Sequence, residues 1–273
     1  MEPSPKFKGD AKTPPSRVAD RLALVASGVL IIVFALFHGQ EFRHDGGHLI
    51  RALAITLAFA LAGRLSHGVS FSGAIAGAVV AFLMATRDLR MFWILLVVFA
   101  VTLAATRLGR LQKKQLRIAE SDNGRSASQV IANLGIAALI LALPSFGVWR
   151  ILALAALAEA SADTTSSEIG TAVPGRTVLI STWRTVSPGI DGGISMSGTI
   201  AGLFAAAIIA ASGVALGLIT IPEATKVACA GTVGMLIDSL LGATLEKRGY
   251  LNNDLVNLFG TASAVLVALL LMQ

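Results

Sequence analysis

Asp238 sits in the run Gly231-Thr232-Val233-Gly234-Met235-Leu236-Ile237-Asp238-Ser239-Leu240-Leu241-Gly242, inside an apolar stretch and about one helical turn from its end. A carboxylate so placed is expensive, and it marks either a function or a buried hydrogen-bonded pair. Gly234 and Gly242, at i−4 and i+4, leave room on that helix face for backbone or ligand to come close. A second acidic group closes another apolar run, in Ala158-Glu159-Ala160-Ser161-Ala162-Asp163-Thr164-Thr165-Ser166-Ser167-Glu168-Ile169-Gly170. If the helix continues through it, Glu159 and Asp163 are i,i+4 neighbours whose like charges repel. A bound cation relieves that repulsion. Magnesium suits the ligand types, because one or two carboxylates plus substrate phosphates and retained waters commonly hold it. The competing reading is a solvated helix end with Ser and Thr capping groups.

Candidate donors lie elsewhere. Arg125, Gln129 and Asn133 repeat at i, i+4 and i+8, and their guanidinium and amide groups suit phosphate oxygens, although such stripes also serve simply to pair helices. The loop from Pro188 through Gly192, Gly193 and Ser195 to Thr199 leads into an apolar run, a geometry in which backbone N–H groups at a helix start receive an anion. It is neither a Walker sequence nor a dinucleotide fingerprint, and alone it is a weak signal. Asn252, Asn253, Asp254 and Asn257 open the last apolar run and are equally ordinary helix-cap residues. His38, His44, His48 and His67 fall on different loops without metal spacing. Cys229, the one cysteine, forms no intrachain disulfide or zinc cluster and reads as a small apolar packing residue.

The elements that must position these groups are membrane helices. Of the 273 residues 55% are hydrophobic and 14% charged, with mean hydropathy +0.75, against about 25% charged for soluble domains. A water-soluble globule is excluded. Apolar runs at 22–37, 49–65, 69–86, 91–108, 127–143, 148–160, 198–217, 223–243 and 255–272 approach the roughly 20 residues a crossing needs. Two of them, 69–86 and 148–160, are short enough to be tilted or re-entrant. The expectation is an all-α, polytopic transmembrane helical bundle of seven to nine spans over residues 21–273, preceded by a disordered basic tail, Met1–Asp20, carrying Lys6, Lys8, Lys12 and Arg17 among four prolines. The first run ends in Phe37-His38-Gly39-Gln40 without a small-residue cleavage pattern, so it reads as a retained span.

With nine spans and the tail inside, only Arg43, Arg51, Arg87, Arg90, Arg150 and Lys226 of the 22 Lys and Arg fall outside. The positive-inside rule favours that orientation in the cytoplasmic membrane. The net charge of +6 thus reflects topology and implies no nucleic-acid partner. The same arrangement brings the loops 107–126, 161–197 and 244–254 to one side, where soluble anions can bind. Small residues four apart, Gly73 and Gly77, Gly198 and Gly202, Gly213 and Gly217, are expected to serve close helix packing.

The conjunction of Arg125 with Gln129-Val130-Ile131-Ala132-Asn133, Ala162-Asp163-Thr164 with Ser167-Glu168-Ile169-Gly170, Gly192-Gly193 with Ser195 and Gly198-Thr199, and Asp238-Ser239-Leu240-Leu241-Gly242-Ala243 followed by Asn252-Asn253 and Asn257 resembles the integral membrane family catalogued as domain of unknown function ninety-two. That family includes plant and cyanobacterial phytyl-phosphate kinases and an animal transmembrane branch. The resemblance covers roughly residues 20–273. It implies a membrane-embedded kinase that transfers a phosphoryl group from a nucleoside triphosphate, CTP or ATP, to an isoprenoid monophosphate such as phytyl phosphate. It further implies that Asp163, Glu168 and Asp238 are catalytic and hold Mg2+, while Arg125, Gln129, Asn133, Gly192, Gly193, Ser195, Thr199, Ser239, Asn252 and Asn253 bind substrate. Glu159 lies outside the family pattern, and Ile190-Asp191 stands where Thr and a variable residue are expected. Two other readings compete: a transporter of a lipid phosphate or small anion, and a non-catalytic membrane scaffold.

Overall fold

A computed structural model describes residues 17–40, 46–108, 124–144 and 146–273. Among the described residues nine α-helices occur in order: α1 Arg17–His38, α2 Gly46–Leu65, α3 Phe71–Arg87, α4 Leu89–Arg107, α5 Ala127–Ala142, α6 Trp149–Ala172, α7 Met196–Ala215, α8 Ile221–Leu241 and α9 Asn253–Leu270. Each matches one apolar run of the sequence, and the molecule is an all-α polytopic membrane bundle. Of the tail expected over Met1–Asp20, residues 1–16 lie outside the described residues, and α1 already begins at Arg17. Most of the basic loop 107–126 is likewise outside them.

Hydrogen bonds sort the helix ends into two faces. At one, the Asp20 carboxylate accepts from Ser72 Oγ at 2.7 Å and from the Ser128 amide at 3.1 Å, the Ser70 amide donates to Arg125 O at 2.9 Å, and Arg107 Nη2 donates to Ser66 O at 2.9 Å. At the other, His38 Nε2 meets Leu143 O at 3.0 Å, His48 Nε2 meets Thr86 O at 3.1 Å and Arg90 Nη1 donates to Gly217 O at 3.1 Å. Successive helices therefore run in alternate directions. The loop after α6, the π-helical turn Gly242–Glu246 after α8 and the start of α9 all belong to the face of Asp20 and Arg125.

The sharpest reversal is at Asp88. It is the one residue between α3 and α4, extended at φ −160°, and its side chain accepts from the Arg90 amide. Burial works to raise its pKa. Hydrogen bonds from the Arg90 side chain and backbone and the charges of Arg90 and Arg150 outweigh that and hold it below the ordinary aspartate value. Beside it the guanidiniums of Arg87 and Arg150 lie 5.3 and 4.8 Å from the Trp149 ring.

Six helices are individually long and apolar enough to cross a membrane, and α3 and α5 are shorter apolar helices. The remaining one, α6, is the centre of the bundle: every residue from Ile151 to Ala162 is buried. A helix walled by α4, α5, α7, α8 and α9 meets little lipid, so it tolerates polar residues that a peripheral span does not. By contrast α2 buries only Ala52, Thr56 and Gly63.

Several expectations from the sequence are corrected by this arrangement. The run 148–160 is not a short or re-entrant segment, and 161–197 is not wholly a loop, because the helix continues for 24 residues to Ala172. Beyond Ala172 the chain forms a small antiparallel sheet of β1 Thr177–Leu179, β2 Thr185–Val186 and β3 Gly193–Ser195 in the order β2-β1-β3. Its hairpin turns at Trp183, which is 70% exposed. Cys229 is exposed on α8 rather than packed, and Gly217 terminates α7 in a left-handed turn at φ +65° instead of continuing the helix.

Candidate functional site

Because α6 continues unbroken, Glu159 and Asp163 do lie on one face, as their spacing anticipates. Glu159 is 1% exposed and Asp238 of α8 is 7% exposed. The two carboxylates converge beside α9. A Cβ built on Gly260 would stand 2.9 Å from Asp238 Oδ2 and closer still to Glu159 Oε1. Gly234 of α8 makes the same concession from the other side, since a Cβ there would meet Glu159 Cγ at 2.7 Å and Ala264 Cβ at 2.8 Å. Two glycines thus admit the Glu159 side chain between α8 and α9. The charged groups acting on Glu159 are Asp238 and Asp163, both acidic, and its buried Oε1 has no hydrogen-bond partner.

Glu168 is placed differently. At about 100° per residue, it points roughly 140° away from Asp163 around α6. It shares its face with Ser161 and Thr165, whose hydroxyl oxygens are buried without a hydrogen-bond partner. Accordingly no three His, Cys, Asp or Glu among the described residues stand together as a ready-made metal site. A two-carboxylate pair fits a magnesium ion whose remaining ligands are phosphates and water, and the unpartnered Glu159 oxygen is what such an ion would satisfy.

The glycine loop reaches this region through backbone. Gly192, at φ +74°, presses on Ala243 in the π-helical turn that succeeds α8, and Gly242 faces the Gly192 amide. The room that Gly234 and Gly242 offer beside Asp238 is therefore filled by protein. Gly193 lies in β3. Ser195 is buried and caps α7, accepting from the Gly198 amide at 3.1 Å. Gly198 and Gly202 bring α7 against α6 at Ser166 O and Ala162 O, with Gly170 opposite Gly198, which is the packing role expected of them. Thr199 and Ser239 are half-buried.

The donor stripe is largely occupied with its own helix. Gln129 Oε1 accepts from the Ser126 amide at 2.9 Å while Ser126 Oγ caps the Gln129 amide, closing a capping box. Asn133 Nδ2 donates to Gln129 O at 2.9 Å. Asn252 is exposed and caps α9 through the Leu255 amide at 2.9 Å, and Asn253 is half-buried beside it. Arg125 has its backbone pinned between Gly68 O at 3.0 Å and the Ser70 amide at 2.9 Å, which places its half-buried side chain at the mouth of the same face. Gly260 is the member of the site that sequence reasoning left out, and the contact of Glu159 with Asp238 was likewise absent from it. Only the i,i+4 relation of Glu159 to Asp163 pointed to that carboxylate.

The family model described as Integral membrane protein DUF92 matches residues 54–265, a span that contains every candidate site residue. The chloroplast protein VTE6 of Arabidopsis thaliana is 32% identical over 226 residues, covering 77% of this chain and 67% of the relative. An uncharacterised membrane protein of Methanocaldococcus jannaschii is 33% identical over 229 residues, 82% of this chain and 94% of the relative. Protein PGR of Arabidopsis thaliana is 29% identical over 231 residues, with 74% and 80% covered. No solved structure matches the chain.

Proposed function

Since the chain belongs to the DUF92 integral membrane family, we propose that it is a membrane-embedded prenyl-phosphate kinase, passing a phosphoryl group from CTP or ATP to an isoprenoid monophosphate such as phytyl phosphate. The observation that carries the reading is the acidic face of α6 and α8, buried Glu159 and Asp238 with half-buried Asp163 one turn nearer the end of the bundle that also holds Arg125 and the glycine loop. The positive-inside bias favours the cytoplasm for that end, with the protein in the cytoplasmic membrane, its N-terminus inside and residues 21–273 acting as one membrane unit.

Phosphoryl transfer is mostly positioning and charge neutralisation. An oxygen of the acceptor monophosphate bonds to the terminal phosphorus of the nucleotide, the bond from that phosphorus to the bridging oxygen breaks, and the nucleoside diphosphate leaves with the electron pair. The acceptor phosphate is ionised near neutral pH, so no strong general base is needed. Asp163 and Asp238 would hold Mg2+, while Glu168 stands about 140° around α6 from Asp163 by helical periodicity, apart from the ion. When bound, that ion offsets charge on the nucleotide phosphates. Arg125 is positioned to pair with phosphate. Gln129 and Asn133 continue the donor stripe along α5, the Gly192-Gly193 turn packs on Gly242 and Ala243 just after Asp238 and Ser239, and Ser195 caps the helix that carries Thr199. The prenyl tail would lie between spans.

The reading is tested in a deletion strain. Lipid extracts should accumulate a prenyl monophosphate by mass spectrometry, and the wild-type gene but not Asp238→Asn should remove it. An unchanged monophosphate pool in the deletion strain contradicts the proposal.

A further inference from the structure

We infer that Glu159 and Asp238 form the inner pair of a divalent-cation site, with Asp163 as its outer carboxylate, where their side chains converge against Gly260 between α6, α8 and α9. The inference rests on the kinase reading only for the use made of the ion. Its evidence is separate, because it rests on the burial of Glu159, its unpartnered oxygen and the close packing of Gly234 and Gly260.

Three observations converge. Glu159 is 1% exposed and its Oε1 has no hydrogen-bond partner, whereas a buried polar atom ordinarily has one. The charges acting on it, Asp238 and Asp163, are both acidic, so its surroundings repel rather than compensate an ionised carboxylate. Finally, two helices forgo side chains where the carboxylates meet. A Cβ at Gly260 would fall within 2.9 Å of Asp238 Oδ2 and nearer to Glu159 Oε1, and one at Gly234 would strike Glu159 Cγ at 2.7 Å. A bundle that only needed to fill this space would do so with apolar atoms, since a buried carboxylate without a compensating charge is costly.

The geometry also separates this site from Glu168. Asp163 stands one turn from Glu159 on the same face, toward the polar end of the bundle, and so links the pair to the aqueous side. Glu168 points about 180° away from Glu159 by helical periodicity. The buried ligands are therefore Glu159 and Asp238, with Asp163 on the same face of α6 one turn nearer the polar end. Two buried carboxylates suit a cation that completes its shell with water or phosphate oxygens.

The test uses purified full-length protein in nanodiscs with Mn2+ as the probe and no nucleotide or lipid phosphate added, read by the loss of the free Mn2+ electron paramagnetic resonance signal. Saturable binding of about one ion is expected. Glu159→Gln should weaken it at least tenfold, Glu159→Asp should weaken it measurably, and Glu168→Gln should leave it within twofold. A monodisperse Glu159→Gln protein that binds Mn2+ like the wild type overturns the inference, as does a Glu168→Gln variant that loses binding. Should Glu159→Gln not fold, Glu159→Asp decides: unchanged affinity in that variant overturns the assignment. Failure of the kinase reading would look different, namely intact Mn2+ binding without phosphoryl transfer.

Discussion

Gly260 has no side chain, and that absence decides where Glu159 can go. Gly260→Ala would push a methyl group against both carboxylates, and overpacking of this kind costs about 1–3 kcal/mol. The expected outcome is a lower melting temperature together with weakened cation binding. Asp88, at the opposite face, makes a pH prediction. Its folded-state pKa is lowered, so its contribution to stability is fully present above the ordinary value of about 3.9 and is lost as pH falls through the lowered folded-state value. Melting curves of the wild type should therefore fall as pH drops below about 4, and Asp88→Asn should remove that part of the dependence while melting lower at neutral pH. Asp238 and Asp163 were legible as sequence because a charge inside an apolar run is conspicuous. The pairing of Glu159 with Asp238 was not, because it depends on how three helices pack. Gln129, Asn133 and Asn252 each also bond within their own helix, and each amide nitrogen keeps hydrogen to donate to a phosphate.

Among the elements, α6 was the hardest to read from composition. Hydropathy finds spans by their contact with lipid, and α6 is the helix the others surround. Its alanines and the glycines of α7 and α8 allow backbones to approach closely, and Gly202 sits where a Cβ would collide with Met235 and with Ala162 O. Gly202→Leu is expected to pry α7 from α6 and abolish activity with loss of the folded monodisperse protein, checked by size-exclusion chromatography. The start of α5 offers a milder test. Ser126→Ala removes the capping box and should cost about 1 kcal/mol, seen as a modest drop in melting temperature with cation binding retained. The sheet β1 to β3 was not legible in the sequence because strands of two or three residues carry too few positions to show an alternating pattern.

At the scale of the molecule, the nine apolar runs correspond to the nine helices of the described residues, and the alternation of their ends brings the acidic site, Arg125 and the hairpin to one face. Single-cysteine variants in a Cys229→Ser background check which face that is. Trp183→Cys should resist a membrane-impermeant maleimide in intact cells and Phe146→Cys should react, and the reverse pattern would invert the orientation. Catalysis is the central claim. Purified protein in nanodiscs should transfer the terminal phosphate of radiolabelled CTP or ATP to phytyl or geranylgeranyl phosphate, giving a labelled prenyl diphosphate. Asp163→Asn and Asp238→Asn should reduce the rate by at least a hundredfold, in line with the loss of about 2.7 kcal/mol of transition-state stabilisation. No labelled diphosphate from folded wild-type protein, or full activity in both variants, would contradict it.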